Sequence, residues 1–214
     1  PTRIRRANLD GTEVETVCTS QNPANSIAVD PIAGKIYWAL FIPNQPQFVP
    51  IQRCDMEGST AVNFAEGVAV AVDAIGRKVY RVHQHAVWRS NPNGSGSEEL
   101  IPSGSGPRQH LTIDSVEGKI YWTEGYNRRI YRANLDGTNI ELVRHLGNYD
   151  VTALAVDPIT QAVYYAVTLG DLIYNHIGGI NRDGTNATVP NVRGIRVDGM
   201  AVDEIGRRLW WADI

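Results

Sequence analysis

The residues of this chain that could do chemistry are five histidines, two cysteines, and aspartates and arginines that recur at regular spacing. The histidines are His83, His85, His110, His145 and His176. His83 and His85 form a His-x-His pair, which places two imidazoles on one side of an extended segment and is compatible with a metal ion. No carboxylate or cysteine at ligand spacing accompanies them, so the sequence predicts neither a metal nor another cofactor. We expect exposed imidazoles to make partner binding pH-dependent instead.

Motifs of known catalytic chemistry are absent from the sequence. There is no Gly-x-Ser-x-Gly elbow, no phosphate-binding loop, no dinucleotide-binding glycine motif and no His-Glu-x-x-His. The sequence therefore predicts no catalytic residue. An enzyme whose groups converge only in the folded chain leaves no local motif and stays open as an alternative.

The aspartates and arginines belong to an internal repeat of about 43 residues. In each copy a short apolar run ends in an aspartate, and these anchors are Asp30, Asp73, Asp114, Asp157 and Asp203. Seven residues later comes an aromatic: Tyr37, Tyr80, Tyr121, Tyr164 and Trp210. An Asx-Gly or Glu-Gly pair follows, with an arginine four residues before it in four copies: Arg6, Arg53, Arg89 and Arg132. We interpret these residues as structural, forming hydrogen bonds and ion pairs between neighbouring copies.

Each copy predicts four short antiparallel strands. The apolar run is continuous enough for a strand buried on both faces, the aromatic pair marks the second strand, and Asx-Gly between two strand-like runs indicates a hairpin. No window shows a helical period. Four-stranded copies of this length are typical of the blades of a β-propeller.

The chain as a whole, residues 1–214, predicts a single all-β domain, a five-bladed β-propeller of four-stranded antiparallel blades. The sequence opens with a third strand at Ile4 and ends with a second strand at Trp210–Trp211. We therefore expect the N-terminal and C-terminal strand pairs to close the ring within one blade. A truncated six-bladed ring is the rival interpretation.

Composition excludes several classes of protein. The 214 residues are 43% hydrophobic and carry a formal net charge of −3, which argues against disorder and against a nucleic-acid partner. No apolar run reaches the roughly 18 residues of a membrane span, so no membrane insertion is expected. The first residues do not form a signal peptide, so a secreted protein would have its leader outside this chain.

The strands resemble the YWTD propellers, the class B repeats of the low-density lipoprotein receptor family. The likeness is strongest at Tyr121-Trp122-Thr123-Glu124, followed by the run from Ile130 to Thr138, and at Trp210-Trp211-Ala212-Asp213. It implies the architecture, but it does not identify a partner. No copy holds the full tetrapeptide, and the rings of that family have six blades, whereas this chain holds five copies.

Binding is expected where the copies differ, on the loops between second and third strands, because variable loops on a rigid scaffold usually carry function. The longest, 39–50, contains three prolines, and its side chains Phe41, Ile42, Phe48 and Val49 either fold back over the rim or form a contact patch. The predicted ligand-binding residues are Phe41, Phe48, His83, His85, Tyr126, Arg128, Asp171 and Tyr174.

Two further predictions concern covalent chemistry. Asn93 and Asn186 match the N-glycosylation acceptor pattern on exposed turns. Cys18 and Cys54 are expected to be free thiols, because a bridge needs Cα atoms within about 7 Å and adjacent blades rarely allow that there.

Together these features predict a secreted or extracellular, non-enzymatic propeller that binds a protein segment or a glycan through its variable-loop face; binding of a glycan would make it a lectin. Two alternatives stay open. One is a lactonase- or lyase-like propeller enzyme with a metal in the central channel, and the other is a purely structural module of a larger extracellular protein.

Overall fold

A computed structural model describes most of the chain: residues 2–7, 12–42, 49–104, 106, 108–124, 128–169, 175–186, 193–195, 197–203 and 208–213. The chain divides into two compact units, Pro1–Pro102 and Ser103–Ile214. All regular structure in the described residues is β-strand, so the predicted all-β class is confirmed. That the whole chain forms a single domain stays a prediction.

The first unit holds one two-stranded and two four-stranded antiparallel sheets. Its strands are β1 (Thr2–Arg6), β2 (Glu15–Ser20), β3 (Ala24–Asp30), β4 (Lys35–Leu40), β5 (Pro50–Asp55), β6 (Val62–Glu66), β7 (Ala69–Asp73), β8 (Lys78–His83), β9 (Ala86–Ser90) and β10 (Glu98–Ile101). Strands β1 and β2 pair with each other, and β3–β6 and β7–β10 form sheets in chain order.

The second unit repeats this plan with the two-stranded sheet at its end. Its strands are β11 (Leu111–Asp114), β12 (Lys119–Glu124), β13 (Arg129–Asn134), β14 (Glu141–His145), β15 (Tyr149–Asp157), β16 (Ala162–Leu169), β17 (Asn175–Ile180), β18 (Arg193–Ile195), β19 (Val197–Asp203) and β20 (Arg208–Asp213). The sheets are β11–β14, β15–β18 and β19–β20. Four complete four-stranded sheets are therefore present, in the order predicted for blades.

The aromatic pair of the second strand β4 explains why the sheets of the first unit stack. Side chains alternate between the two faces of a strand, so Tyr37 and Trp38 enter different cores. Trp38 packs with β1 and β2, whereas Tyr37 packs with residues of the β7–β10 sheet. Both are fully buried, and truncating an aromatic of this kind to alanine costs about 3–5 kcal/mol.

A β-bulge recurs in the outer strand of these sheets. In β2 the pairing shifts at Val17, and equivalent shifts occur at Phe64 in β6 and Val143 in β14. The bulged residue packs against a hydrophobic core cluster in each case. Since a bulge breaks the alternation of side chains, the outer strand can turn two consecutive residues, Val17 and Cys18, toward the same core.

The repeated aspartates stabilise their own turns. Asp30 Oδ1 accepts hydrogen bonds from the backbone N–H of Ile32 and Ala33, at 3.1 and 2.8 Å, and Asp114 does the same for the two residues at equivalent positions. The second oxygen of each is buried without a hydrogen-bond partner among the described residues. The prediction of hydrogen bonds between copies is therefore wrong for these two aspartates, because the one carboxylate oxygen that is hydrogen-bonded accepts from the backbone of its own turn.

The repeated arginines do connect neighbouring sheets within the first unit. Arg6 donates to the backbone oxygen of Met56 at 2.8 Å, in the turn of the next sheet, and Arg53 donates to that of Pro92. The prediction of contacts between copies is therefore confirmed for Arg6 and Arg53.

Candidate functional site

The two edges of the four-stranded sheets differ in their connections. Turns between first and second strands are four residues long in every sheet: 31–34, 74–77, 115–118 and 158–161. Connections between second and third strands vary from two to nine residues: 41–49, 84–85, 125–128 and 170–174. The edge that carries these variable connections, called the variable-loop edge below, is the part of the scaffold on which the predicted binding residues lie. Among them Phe48, Tyr126, Asp171 and Tyr174 fall outside the described residues.

The long connection 41–49 divides its apolar side chains between core and solvent. Val49 is buried and Ile42 half-buried, and both pack with the core around Trp38. Phe41 stays 53% exposed, although its backbone N–H donates to the oxygen of Pro23 at 2.7 Å. The described part of this connection therefore folds back over the rim except at Phe41, which is held in place and faces solvent.

The His-x-His pair does not converge on a common site. His85 is exposed in the two-residue turn with a φ of +65°, whereas His83 is half-buried with its ring edge against Trp88. His83 Nε2 lies 3.7 Å from Glu66 Oε2. Burial lowers the pKa of His83, an effect that Glu66 partly offsets, so the imidazole is neutral at physiological pH. In the part of the chain that the structure describes, no three His, Cys, Asp or Glu side chains cluster as metal ligands.

In the second unit Arg128 lies in an exposed ion pair. Its Nε is 3.2 Å from Asp150 Oδ1, and both side chains are about 40% exposed. Beside Asp150, the ring of Tyr149 meets the imidazole of His176 edge-on at 5.3 Å. Sequence reasoning missed Tyr149 and Asp150 because they lie in the extended start of β15, outside the repeated positions.

A buried ion pair was also missed. Arg108 and Glu124 have side-chain exposures of 3% and 7%, and Glu124 Oε2 accepts from Arg108 Nε at 3.1 Å and from Trp122 Nε1 at 3.4 Å. The guanidinium also lies 5.4 Å from the centre of the Trp122 ring. The backbone of Gly104 packs so closely on the carboxylate that a Cβ would not fit. This pair fastens the segment before β11 to the end of β12 and so orders one stretch of the variable-loop edge.

Cys18 and Cys54 form a disulfide with a Cα–Cα distance of 6.7 Å, so the prediction of free thiols is wrong. Cys18 lies inside β2 rather than after it, and the bulge at Val17 turns it toward β5 of the neighbouring sheet. A bulge has no clear sequence signature, which is why spacing alone did not reveal the bridge. Disulfides persist in oxidising compartments.

Both glycosylation candidates are exposed; Asn93 lies in a turn, whereas Asn186 follows a turn and forms a β-bridge with Ile180. Asn93 Oδ1 accepts from Ser95 N and Oγ at 3.0 and 2.7 Å, as the carboxylate oxygens of Asp136 and Asp183 do from their threonines in the equivalent turns. The turn therefore accounts for an Asx residue at position 93. Asn186 Oδ1 accepts from Arg144 at 2.9 Å. Use of either sequon stays a prediction.

A groove of about 840 Å³ lies between β2 and the β3–β6 sheet. One wall is β2 from Thr16 to Ser20, and the other includes Gln52 and Asn63. These polar groups are connected, since Ser20 Oγ donates to Gln52 Oε1 and Gln52 Nε2 donates to Asn63 Oδ1, both at 3.1 Å. The volume lies within the range of small-ligand pockets. The disulfide joins β2 to β5 beneath it.

Among the described residues no helix is long and apolar enough to cross a membrane. No protein-family model matches the chain.

Comparison with curated proteins finds the vitellogenin receptor of Solenopsis invicta, 25% identical over 76% of this chain, and the protein cueball of Drosophila willistoni, 25% identical over 71%. The chain corresponds to only 9% and 25% of the lengths of these two proteins.

Comparison with solved structures finds the same fold. A chain in a nidogen/laminin complex superposes with a TM-score of 0.78 at 17% identity, covering 99% of this chain and 82% of that one. A TolB-like protein from Agrobacterium tumefaciens gives 0.74 at 14% identity, covering 98% and 82%. These likenesses show a shared fold, and together with the repeated aromatic strands and the vitellogenin receptor relative they support the resemblance to the YWTD β-propellers.

Proposed function

We propose that this chain is a non-enzymatic, extracellular protein-binding module that engages its partner through the variable-loop edge. The observation that carries the proposal is the contrast between the first-to-second turns, which are all four residues long, and the second-to-third connections, which vary from two to nine residues. Uniform turns maintain a scaffold, whereas connections that differ in length and chemistry present a different surface in each sheet.

The chemistry of the described residues on this edge suits a protein partner. Phe41 offers an exposed aromatic anchor, and the Arg128–Asp150 pair is exposed in the second unit. Aromatic and arginine side chains are enriched among residues that dominate protein–protein binding energy. The names of the similar proteins point the same way, since one is a receptor and another was solved in a complex with a protein. The disulfide supports an extracellular location.

A pair of matched variants tests this proposal. Phe41→Ser removes the exposed aromatic of the variable-loop edge, and Ile75→Ser removes a 68% exposed apolar residue from the opposite turn 74–77. Both are screened against an arrayed library of secreted proteins and receptor ectodomains that includes vitellogenin and laminin. We expect a partner whose binding weakens at least tenfold with Phe41→Ser and less than twofold with Ile75→Ser. Equal losses, or no partner, would count against the proposal, and binding only to glycans would favour a lectin.

We also propose that the sheets are blades of a ring in which β1–β2 is the outer half of one blade. Ile27 on β3 is 56% exposed, whereas Val70 at the equivalent position of β7 is 2% exposed. The two-stranded sheet packs against β4 and β5 of its neighbour and leaves Ile27 of β3 uncovered. Two inner strands would complete it. The five-bladed prediction assigns that role to β19 and β20, whose Trp210 is 51% exposed.

A cysteine pair distinguishes five blades from six. In the β3–β6 sheet Trp38 is registered with Gln52, and the equivalent residues of the closing blade would be Trp211 and Arg5. Arg5→Cys combined with Trp211→Cys should form a second disulfide if β20 pairs with β1. Two free thiols in the folded protein would indicate that another blade lies between them.

A further inference from the structure

The edge of strand β2 differs from the outer edges of the β3–β6 and β7–β10 sheets. Aligned through the pairing registers, Thr19 of β2 corresponds to Glu66 of β6, to Pro102 directly after β10, and to His145 of β14. Glutamate and proline at such positions discourage another strand from pairing with an edge. Strand β2 has neither, and from Thr16 to Ser20 it carries no charge.

The groove described above runs along this edge. Thr16, Val17, Cys18, Thr19 and Ser20 all line it in succession. Val17 and Cys18 face the core, whereas Thr16 and Thr19 are exposed. Because residues from both faces of β2 line the groove, we infer that the backbone edge of the strand borders it. Among the described residues β2 pairs with β1 alone, so the N–H and C=O groups on its other side face the groove.

The opposite wall offers neutral hydrogen-bonding groups. Gln52 and Asn63 carry amides that can both donate and accept, and Ser59 and Thr60 add hydroxyls. The apolar contacts come from Val17, Leu40, Ile42, Ala61 and the disulfide. Among the described residues that line the groove, none is charged and none is aromatic. These residues therefore offer a charged ligand no counter-charge, and they offer a sugar ring no aromatic face to stack on.

We propose that this groove binds an extended, uncharged peptide segment of a partner protein, which adds as a strand to the outer edge of β2. Backbone hydrogen bonds to β2 hold such a segment, and its alternate side chains point toward the apolar contacts and the amide wall. The five lining residues of β2 span about 13 Å at roughly 3.3 Å per residue, which matches a segment of about four to six residues. The groove meets the variable-loop edge at Ile42, but Phe41 does not line it and Thr19 lies outside that edge. Phe41→Ser and Thr19→Glu therefore test the two proposals independently.

The test is to select displayed random octapeptides against the intact chain and to measure binding of the enriched peptides by fluorescence anisotropy. We expect uncharged, proline-free sequences. Thr19 is exposed, so Thr19→Glu, which introduces the residue that β6 carries at the equivalent position, alters no buried contact and should weaken binding at least tenfold. His145→Glu places the same charge at the equivalent position of β14 and should change the affinity less than twofold.

Two further measurements separate strand addition from other modes. N-methylation of alternate peptide nitrogens should abolish binding in one register and spare it in the other, and the amides of β2 should gain hydrogen-exchange protection. The proposal is overturned if no peptide is enriched, if Thr19→Glu and His145→Glu act alike, or if N-methylation has no effect. Competition by a neutral oligosaccharide such as maltohexaose would also overturn it and would identify the groove as a carbohydrate site.

Discussion

Removing the Cys18–Cys54 bridge should destabilise the fold by an amount set mainly by the loop that it closes. The two cysteines are 36 residues apart in sequence. Loop-closure entropy for such a separation, −2.1 − 1.5R ln n, is about −13 cal/mol/K, or about 4 kcal/mol at 25 °C. Both residues are buried, at 3% exposure. Because alanine has no polar side-chain atom, its introduction at these positions buries no unsatisfied polar group.

The double variant Cys18→Ala/Cys54→Ala should therefore melt about 8–15 °C below the native chain, since 1 kcal/mol shifts Tm by roughly 2–4 °C in a domain of this size. Thermal unfolding followed by circular dichroism measures the shift. The native chain in reductant should melt near the double variant, and the variant should not respond to reductant, which separates loss of the bridge from loss of packing.

Two results would refute this reasoning. If the native chain, unfolded without reductant, reacts with two equivalents of iodoacetamide by mass spectrometry, the bridge does not exist. If the bridge is present but its removal lowers Tm by less than about 2 °C, the restraint on the unfolded chain is not what stabilises this pair of sheets.

Three further substitutions probe the packing. Arg108→Met should cost about 3–5 kcal/mol in urea unfolding because it leaves Glu124 buried without its cation; a loss under about 1 kcal/mol would mean that the pair is solvated. Burial lowers the pKa of His83 below its usual 6.5, so the unfolded chain binds more protons in mildly acidic solution, and stability should fall as pH drops from about 7 to 5. His83→Gln should flatten that part of the pH profile, and an unchanged profile would contradict the assignment. Gly178→Ala should destabilise the fold by about 1–3 kcal/mol because the new Cβ would overlap the ring of Tyr165. The control Gly199→Ala in β19 should be tolerated, because no atom of the described residues beyond its chain neighbours lies within 4 Å of the added Cβ.

The strands and their order were predictable because the repeat encodes them locally. An apolar run followed by aspartate, a four-residue turn and an aromatic pair specifies a hairpin without reference to distant residues. The burial of Tyr37 and Trp38 on two faces follows from strand geometry alone. Five copies of one pattern make each local assignment support the others.

The roles of individual polar residues were less predictable, since a recurring residue type does not reveal its partner. The carboxylates of Asp30 and Asp114 bond within their own turns, whereas Arg6 and Arg53 reach the next sheet. The aspartates and the arginines both recur once per copy, so their spacing could not show which of them bonds within its own turn and which reaches the next sheet. That difference depends on which backbone groups of the turn are left without a hydrogen-bond partner.

By itself the sequence determined the all-β class, the four-stranded sheets and the contrast between uniform and variable connections, because these depend on residues close together along the chain. Only the tertiary structure decided the disulfide, the buried Arg108–Glu124 pair and the groove beside β2. Each depends on residues brought together from separate segments. The bulge at Val17 shows the reason: one extra residue in a strand redirects its side chains, and that shift arises from pairing rather than from residue type.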